Sequence, residues 1–301
     1  MILTSSIGMR MFFYLILLFV VLFTGCGDSD DGIGPPDTLM AGSYQNWAWD
    51  SSMSLADPLY EKLCEGRWNT IDASHKLVNV EYNVIFETDE DGNYRFWYYD
   101  NAVCLQGKNP FPREVGHGFE PTLRSSNPIV YMSVDNLLTF HDGNKYTVWH
   151  IDRRGGWADD LVIDKVVDTG DSHIYDTDTV LYLGDGNVLL WRPDSFAFAI
   201  FKYDFTSTGN QFGEDSVVIN GTWTKFDPSH RLTYMGYSND LDRYDIILDV
   251  DSYGNFRYWH YDRWMTGHGD PLDSIITSGR KSGITSTAEC VNLDGKLLFF
   301  W

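Results

Sequence analysis

The chain has 301 residues, 43% of them apolar and 16% aromatic, enough for substantial cores and, by length, for about two domains. Asp and Glu number 43 against 22 Lys and Arg, a formal charge of −21. So acidic a surface repels nucleic acid and anionic membrane faces, and no basic stripe relieves it, so the sequence argues against DNA or RNA binding.

The first element is a targeting segment. Arg10 precedes a thirteen-residue apolar run, Met11 to Phe23, which is short for a bilayer span and has the length of a signal-peptide core. The run ends in Thr24-Gly25-Cys26. Small residues followed by a Cys resemble the lipobox of bacterial lipoproteins, with Phe23 where Leu is usual. That resemblance implies removal of residues 1–25, diacylglycerol on the Cys26 thiol and an acyl chain on its amine. The protein would then be anchored in a membrane of the cell envelope, at the outer membrane or the cell surface. The other reading is an uncleaved anchor with an incidental Cys. Translation from Met9 would restore the short basic start of that pattern. Gly27 to Asp37 (GDSDDGIGPPD) has the composition of a spacer, and residues 26–48 read as a tether.

Asp57, Pro58 and Gly66 are placed as the cap, first residue and terminator of one short helix. Everything after it reads as strand. The first set is 66–72, 80–88, 93–100, 129–134, 136–141, 145–152, 160–168, 177–184, 187–192 and 197–204. The second is 219–226, 231–237, 242–250, 254–262, 272–278, 285–292 and 296–301. Asp-Gly and Gly-Asn turns between β-rich runs mark hairpins, because Gly and Asn accept positive φ. Such chemistry, rather than calcium, accounts for acidic turns such as Asp89 to Asn93. Residues 106–128 read as a long Pro/Gly-rich loop. The polar stretch 206–216 reads as a boundary between a first domain, 49–205, and a second, 217–301.

Internal similarity supports a duplication. Gly66–Leu77 (GRWNTIDASHKL) matches Gly221–Leu232 (GTWTKFDPSHRL) at an offset of 155. The aromatic strings Gly92–Asp100 and Gly254–Asp262 match at 162, and Trp149–Trp191 matches Trp259–Trp301 at 110. The recurring Gly-x-Trp at the head of a meander resembles the lipocalin-like bacterial domains. That resemblance implies two tandem all-β barrels, each plugged by a Trp. The alternative is a β-propeller, since both Trp pairs are spaced by 42, close to one blade; the intervals 97–149 and 191–259 depart from that period.

The chemistry on offer favours binding over catalysis. In both aromatic strings the two strand faces are aromatic, so either both are covered by protein or one faces a cavity or solvent. On that reasoning Trp97, Trp149, Trp191 and Trp259 are the candidate contacts for a glycan or a small apolar ligand. His150/Asp152 and His260/Asp262 each share a strand face, one element of a general-base site, but no nucleophile or phosphate-binding motif accompanies them. Cys64 and Cys104 can pair in an oxidising compartment, leaving Cys290 as a buried thiol. No cofactor or metal is called for. The expectation is therefore a non-enzymatic envelope binding protein. The alternatives are a structural or protein-interaction lipoprotein and, behind it, a hydrolase using loop carboxylates.

Overall fold

The computed structural model describes residues 42–49 and 58–301, apart from 69, 73, 82, 134, 157, 176, 239–243, 264, 266 and 294. The proposed signal peptide and Cys26 lie outside the described residues. β1 (Ser43–Ala48) and β2 (Glu61–Arg67) come first. β3 (Lys76–Asn79), β4 (Val84–Thr88), β5 (Asn93–Tyr98) and β6 (Arg113–Phe119) form a meander, with one helical turn, α1 (Asn101–Cys104), between its last two strands. β7 (Ile129–Met132), β8 (Asn136–His141), β9 (Lys145–Arg153) and β10 (Leu161–Asp171) repeat the plan. So do β11 (Thr179–Tyr182), β12 (Asn187–Arg192), β13 (Ala197–Lys202) and β14 (Val217–Thr222). In the next sheet β15 (Arg231–Ser238), β16 (Tyr244–Val250) and β17 (Asn255–Tyr261) are joined by β19 (Leu272–Arg280). The two-residue β18 (Gly267–His268) pairs instead with β14, in parallel. Last come β20 (Glu289–Asn292) and β21 (Lys296–Phe300), which complete a sheet ordered β2-β1-β21-β20.

Hairpin turns are built locally. The Asp89 carboxylate accepts the backbone N–H groups of Asp91, Gly92 and Asn93, and Gly92 takes φ 92°. Asp251 does the same for Tyr253 and Asn255 in the sheet of β15–β17. These are Asx-type turns, with each Asp folded back on its own loop.

The five sheets close on themselves. β3 touches β7, β7 touches β11, β11 touches β15, β15 touches β20 and β20 touches β3. Five antiparallel meanders set radially around these innermost strands make a five-bladed β-propeller. We number as blade 1 the sheet that holds both the first and the last strand, β1 and β21, and the others in chain order. Five apolar clusters lie one at each boundary between neighbouring blades: around Trp68 and Phe300 (blades 1 and 2), Phe86 and Leu161 (2 and 3), Phe140 and Phe201 (3 and 4), Trp191 and Trp259 (4 and 5), Tyr258 and Phe299 (5 and 1). In blade 1 the N-terminal β1 pairs antiparallel with the C-terminal β21, from Tyr44 opposite Phe300 to Ala48 opposite Lys296. The ring is thus fastened by pairing of its first and last strands.

This architecture overturns the tandem lipocalin-like domains. Residues 42–301 belong to one compact unit, and the expected domains 49–205 and 217–301 share a ring fastened at blade 1. Residues 43–48, assigned to the tether, are the central strand β1. The expected helix after Pro58 is β2: pairing with β1 and a Cys64–Cys104 disulfide, Cα–Cα 5.6 Å, override local propensity there. That bond ties the outer strand of blade 1 to the turn after β5, a loop of about 40 residues, worth about 4 kcal/mol in the chain-entropy account. The 106–128 loop contains β6. The supposed boundary, 206–216, buries Phe212 against Phe140, Tyr146 and Tyr203 between blades 3 and 4.

Gly-x-Trp also changes meaning. Both copies span the crossing from the outer edge of one blade to the innermost strand of the next. Trp68 stacks on Phe111 with centroids 3.9 Å apart, and Trp223 stacks on Phe198 at 4.2 Å. Each plugs a boundary between blades, not the end of a barrel.

Candidate functional site

The innermost strands line an axial channel, a cavity of about 610 Å³. At its first end lie their N-terminal residues: Lys76, Thr179, Arg231 and Glu289, with Pro128 just before β7. At its second end lie Asn79, Tyr131, Tyr182, Tyr234 and Asn292.

At the second end a side-chain hydrogen bond joins every pair of neighbouring blades. Asn79 Nδ2 donates to the Asn292 carbonyl (2.7 Å), joining blades 2 and 1. Asn292 Nδ2 donates to the Met235 carbonyl (2.8 Å), joining 1 and 5. Arg263 Nη1 reaches Asp185 Oδ2 (2.8 Å) between 5 and 4, the Tyr182 and Ser133 hydroxyls meet at 3.1 Å between 4 and 3, and Arg153 Nη2 donates to the Val80 carbonyl (2.9 Å) between 3 and 2. Side chains engaged in this way are committed to holding the ring.

The charged residues of the lining, Lys76, Asp178, Arg231 and Glu289, gather at the first end. Arg231 Nη1 bonds Glu289 Oε2 at 3.0 Å, and its Nε donates to the Ser286 carbonyl at 3.1 Å. Asp178 is held by both Nε and Nη2 of Arg192, at 3.0 and 2.9 Å. A second cavity of about 550 Å³, lined by Lys225, Phe226, Asp251 and Arg257 among others, adjoins this mouth and shares Pro228 and His230 with it. A groove therefore runs from the axis outward over blade 5.

Two repeated histidine networks brace the loops at this end. His75 Nδ1 bonds the Glu87 carboxylate, which also accepts Trp97 Nε1 at 3.2 Å. His230 Nδ1 meets Asp249 Oδ1 at 2.7 Å, and Asp249 Oδ2 accepts Trp259 Nε1 at 3.3 Å and pairs with Arg257. Both carboxylates are buried. The hydrogen bond to Glu87 raises the pKa of His75 against the opposing effect of burial. In each network the imidazole fastens the loop before an innermost strand to the second and third strands of its blade. Asp72 and Asp227 continue the same device: each accepts both the N–H (2.9 Å) and the hydroxyl (2.6 Å) of the Ser two residues on.

The sequence-derived candidates fall elsewhere. Trp191 is fully buried and Trp259 nearly so, while Trp97 and Trp149 are half-buried against interblade clusters; none of the four lines either cavity. His150 bonds Asp164 across the neighbouring strand at 2.7 Å, and Asp152 accepts Arg154 at 3.0 Å, so the first His-x-Asp pair is not brought together. Cys290 sits on the channel wall, where burial pushes its thiol up to about 12, an unreactive setting. Among the described residues there is no group of three metal-ligating side chains and no helix long and apolar enough to cross a membrane. Sequence reasoning passed over Lys76, Arg231 and Glu289. The signal for two of them was present: the repeated motif Asp-x-Ser-His-[Lys/Arg]-Leu puts a cation at the same position in both copies.

No family model and no curated protein matches the chain. Among solved structures it is similar to the WD40 β-propeller domain of Doa1, at 15% identity over 81% of this chain and 68% of that one, with a TM-score of 0.36. It is similar also to the β-propeller domain of Myceliophteria thermophila Cps50 (Swd1), at 11% identity over 71% and 73% with a TM-score of 0.34. A third is the WD40 domain of Toxoplasma gondii coronin, at 13% identity over 80% and 59% with a TM-score of 0.36. Likenesses this distant carry no argument, and the propeller rests on the closed ring of strand contacts.

Proposed function

We propose that this chain is a protein-interaction scaffold of the cell envelope, tethered through lipid on Cys26, which engages its partner at the first end of the axial channel. The observation that supports this is the mouth itself. All five blades line one cavity, and it opens into a second that leads outward across blade 5. A volume of about 610 Å³ lies within the range of ligand sites, roughly 300–1,000 Å³. A groove from axis to rim suits an extended segment of another protein. The Cys64–Cys104 bond is consistent with an oxidising compartment. Recognition of a glycan or small apolar ligand by Trp97, Trp149, Trp191 and Trp259 has less support, because these indoles are taken up in packing between blades.

The test is site-specific photo-cross-linking in intact cells. Benzoylphenylalanine replaces Ser126, which is exposed on the mouth, or Leu105, which is exposed after α1 at the opposite end of the ring. A discrete protein adduct from position 126 and none from 105 is expected. Equal labelling from both positions, or none from 126, would sink the reading.

A further inference from the structure

We propose that the channel mouth takes an acidic side chain of the partner peptide, with Lys76 as the group that reads its charge; this rests on the mouth being the binding face. Lys76 (blade 2), Glu289 (blade 1) and Arg231 (blade 5) stand at the first residues of three consecutive innermost strands. Arg231 is engaged twice, by Glu289 and by the Ser286 carbonyl. Although burial opposes it, the charges of Arg231 and Lys76 hold Glu289 below its ordinary value, so this carboxylate stays ionised and committed. The Lys76 side chain has no hydrogen bond or ion pair among the described residues, and Lys76 is part of the cavity lining. The other acid on this rim, Asp178, is neutralised by two bonds from Arg192.

With Asp178 neutralised, the local balance is two cations, Lys76 and Arg231, to one carboxylate, Glu289, a net positive charge in a protein of formal charge −21. Screening limits the reach of the distant acids, because the Debye length is about 8 Å at physiological salt. An incoming carboxylate would gain an unpartnered ammonium in a partly desolvated cavity. A basic side chain would have to displace Arg231 from Glu289 to gain the same. The hydroxyl of Thr179, on the same lining, can donate to the second carboxylate oxygen.

The experiment is saturation-transfer NMR on the mature chain, residues 26–301, with three size-matched probes: acetyl-Gly-Glu-Gly-amide, acetyl-Gly-Gln-Gly-amide and acetyl-Gly-Lys-Gly-amide. The Glu peptide is expected to bind at least tenfold more tightly than the other two. Lys76→Met should abolish that preference and Lys76→Arg should keep it, with unchanged circular dichroism showing that both variants fold; Lys76→Gln serves if Lys76→Met does not. Absence of Glu-peptide binding, equal affinity for the three probes, or a preference that survives loss of the charge at position 76 would each overturn the proposal. The cross-linking from Ser126 does not depend on charge, so it can succeed while this test fails.

Discussion

A buried carboxylate needs donors, and the two histidine networks show how single residues supply them. Glu87 is 1% exposed, and its oxygens are met by His75 and by Trp97 Nε1. The protonated imidazole is favoured there, so the folded-state pKa of His75 lies above the unfolded value of about 6.5. A group shifted in that direction stabilises the fold fully below its unfolded pKa, and the contribution fades as pH rises through the folded value. His75→Gln should consequently show its largest deficit in urea midpoint near pH 6, with the deficit shrinking toward pH 9. A deficit that stays constant over that range would refute the linkage. The sequence displayed these residues as the repeated Asp-x-Ser-His. What could not be read was Glu87 and Asp249 as the imidazoles' partners, because they lie 12 and 19 residues away on the second strand of each blade.

At the scale of the element, the aromatic strings have a mechanical explanation. In β5, Tyr94 and Phe96 pack toward blade 3, while Trp97, with Tyr99 just after it, packs toward blade 1. In β17, Phe256 and Tyr258 pack toward blade 1, while Trp259 and Tyr261 pack toward blade 4. A sheet set radially in a ring is covered on both faces, so the alternation of a half-wet sheet is lost. Sequence alone identified the doubled faces but left open whether a cavity or a neighbouring blade covered them. The outer strands were the harder ones to see. β6 carries Gly116 and Gly118 inside a Pro/Gly-rich stretch, which reads as loop. Gly116 is there for close approach: a Cβ on it would come within 1.9 Å of the Leu161 carbonyl oxygen on blade 3. That neighbour is backbone and cannot swing aside. Gly116→Ala should thus cost about 1–3 kcal/mol of unfolding free energy by forcing blades 2 and 3 apart. Gly107→Ala, with nothing within 4 Å but a φ of 68°, makes the instructive comparison, since any loss there comes from backbone strain alone. An unchanged denaturation midpoint for Gly116→Ala would contradict the packing argument.

For the whole molecule, the repeat offsets already held the ring. An offset of 155 carries the crossing between blades 1 and 2 onto the crossing between blades 4 and 5, three blades at about 52 residues each. An offset of 110 carries blades 3 and 4 onto blades 5 and 1, two blades at about 55 each. Together the two offsets, 265 residues for five blades, match residues 42–301, 260 residues and one full turn, to within a few residues. Taken as domain lengths they suggested a duplication, because the shorter period was hidden by unequal connections and by the division of blade 1 between the chain ends. That division makes β21 the latch. Lys296–Phe300 supplies Leu298 and Phe300 to the cluster between blades 1 and 2, and Leu297 and Phe299 to the cluster between blades 5 and 1. The other three boundaries receive nothing from it. Stability in such an array is close to a sum of blade and nearest-neighbour terms, as in solenoids, with closure adding one further interface. Deleting residues 296–301 should therefore remove hydrogen-exchange protection from β1, β4, β5 and β16, whose blades lose a packed neighbour. β8, β9, β12 and β13 should stay protected, because the cluster between blades 3 and 4 is intact and Phe212 still fills it. Uniform loss of protection across all five blades would mean that the ring folds as one indivisible unit, with closure a condition for every blade rather than for the two boundaries that β21 serves.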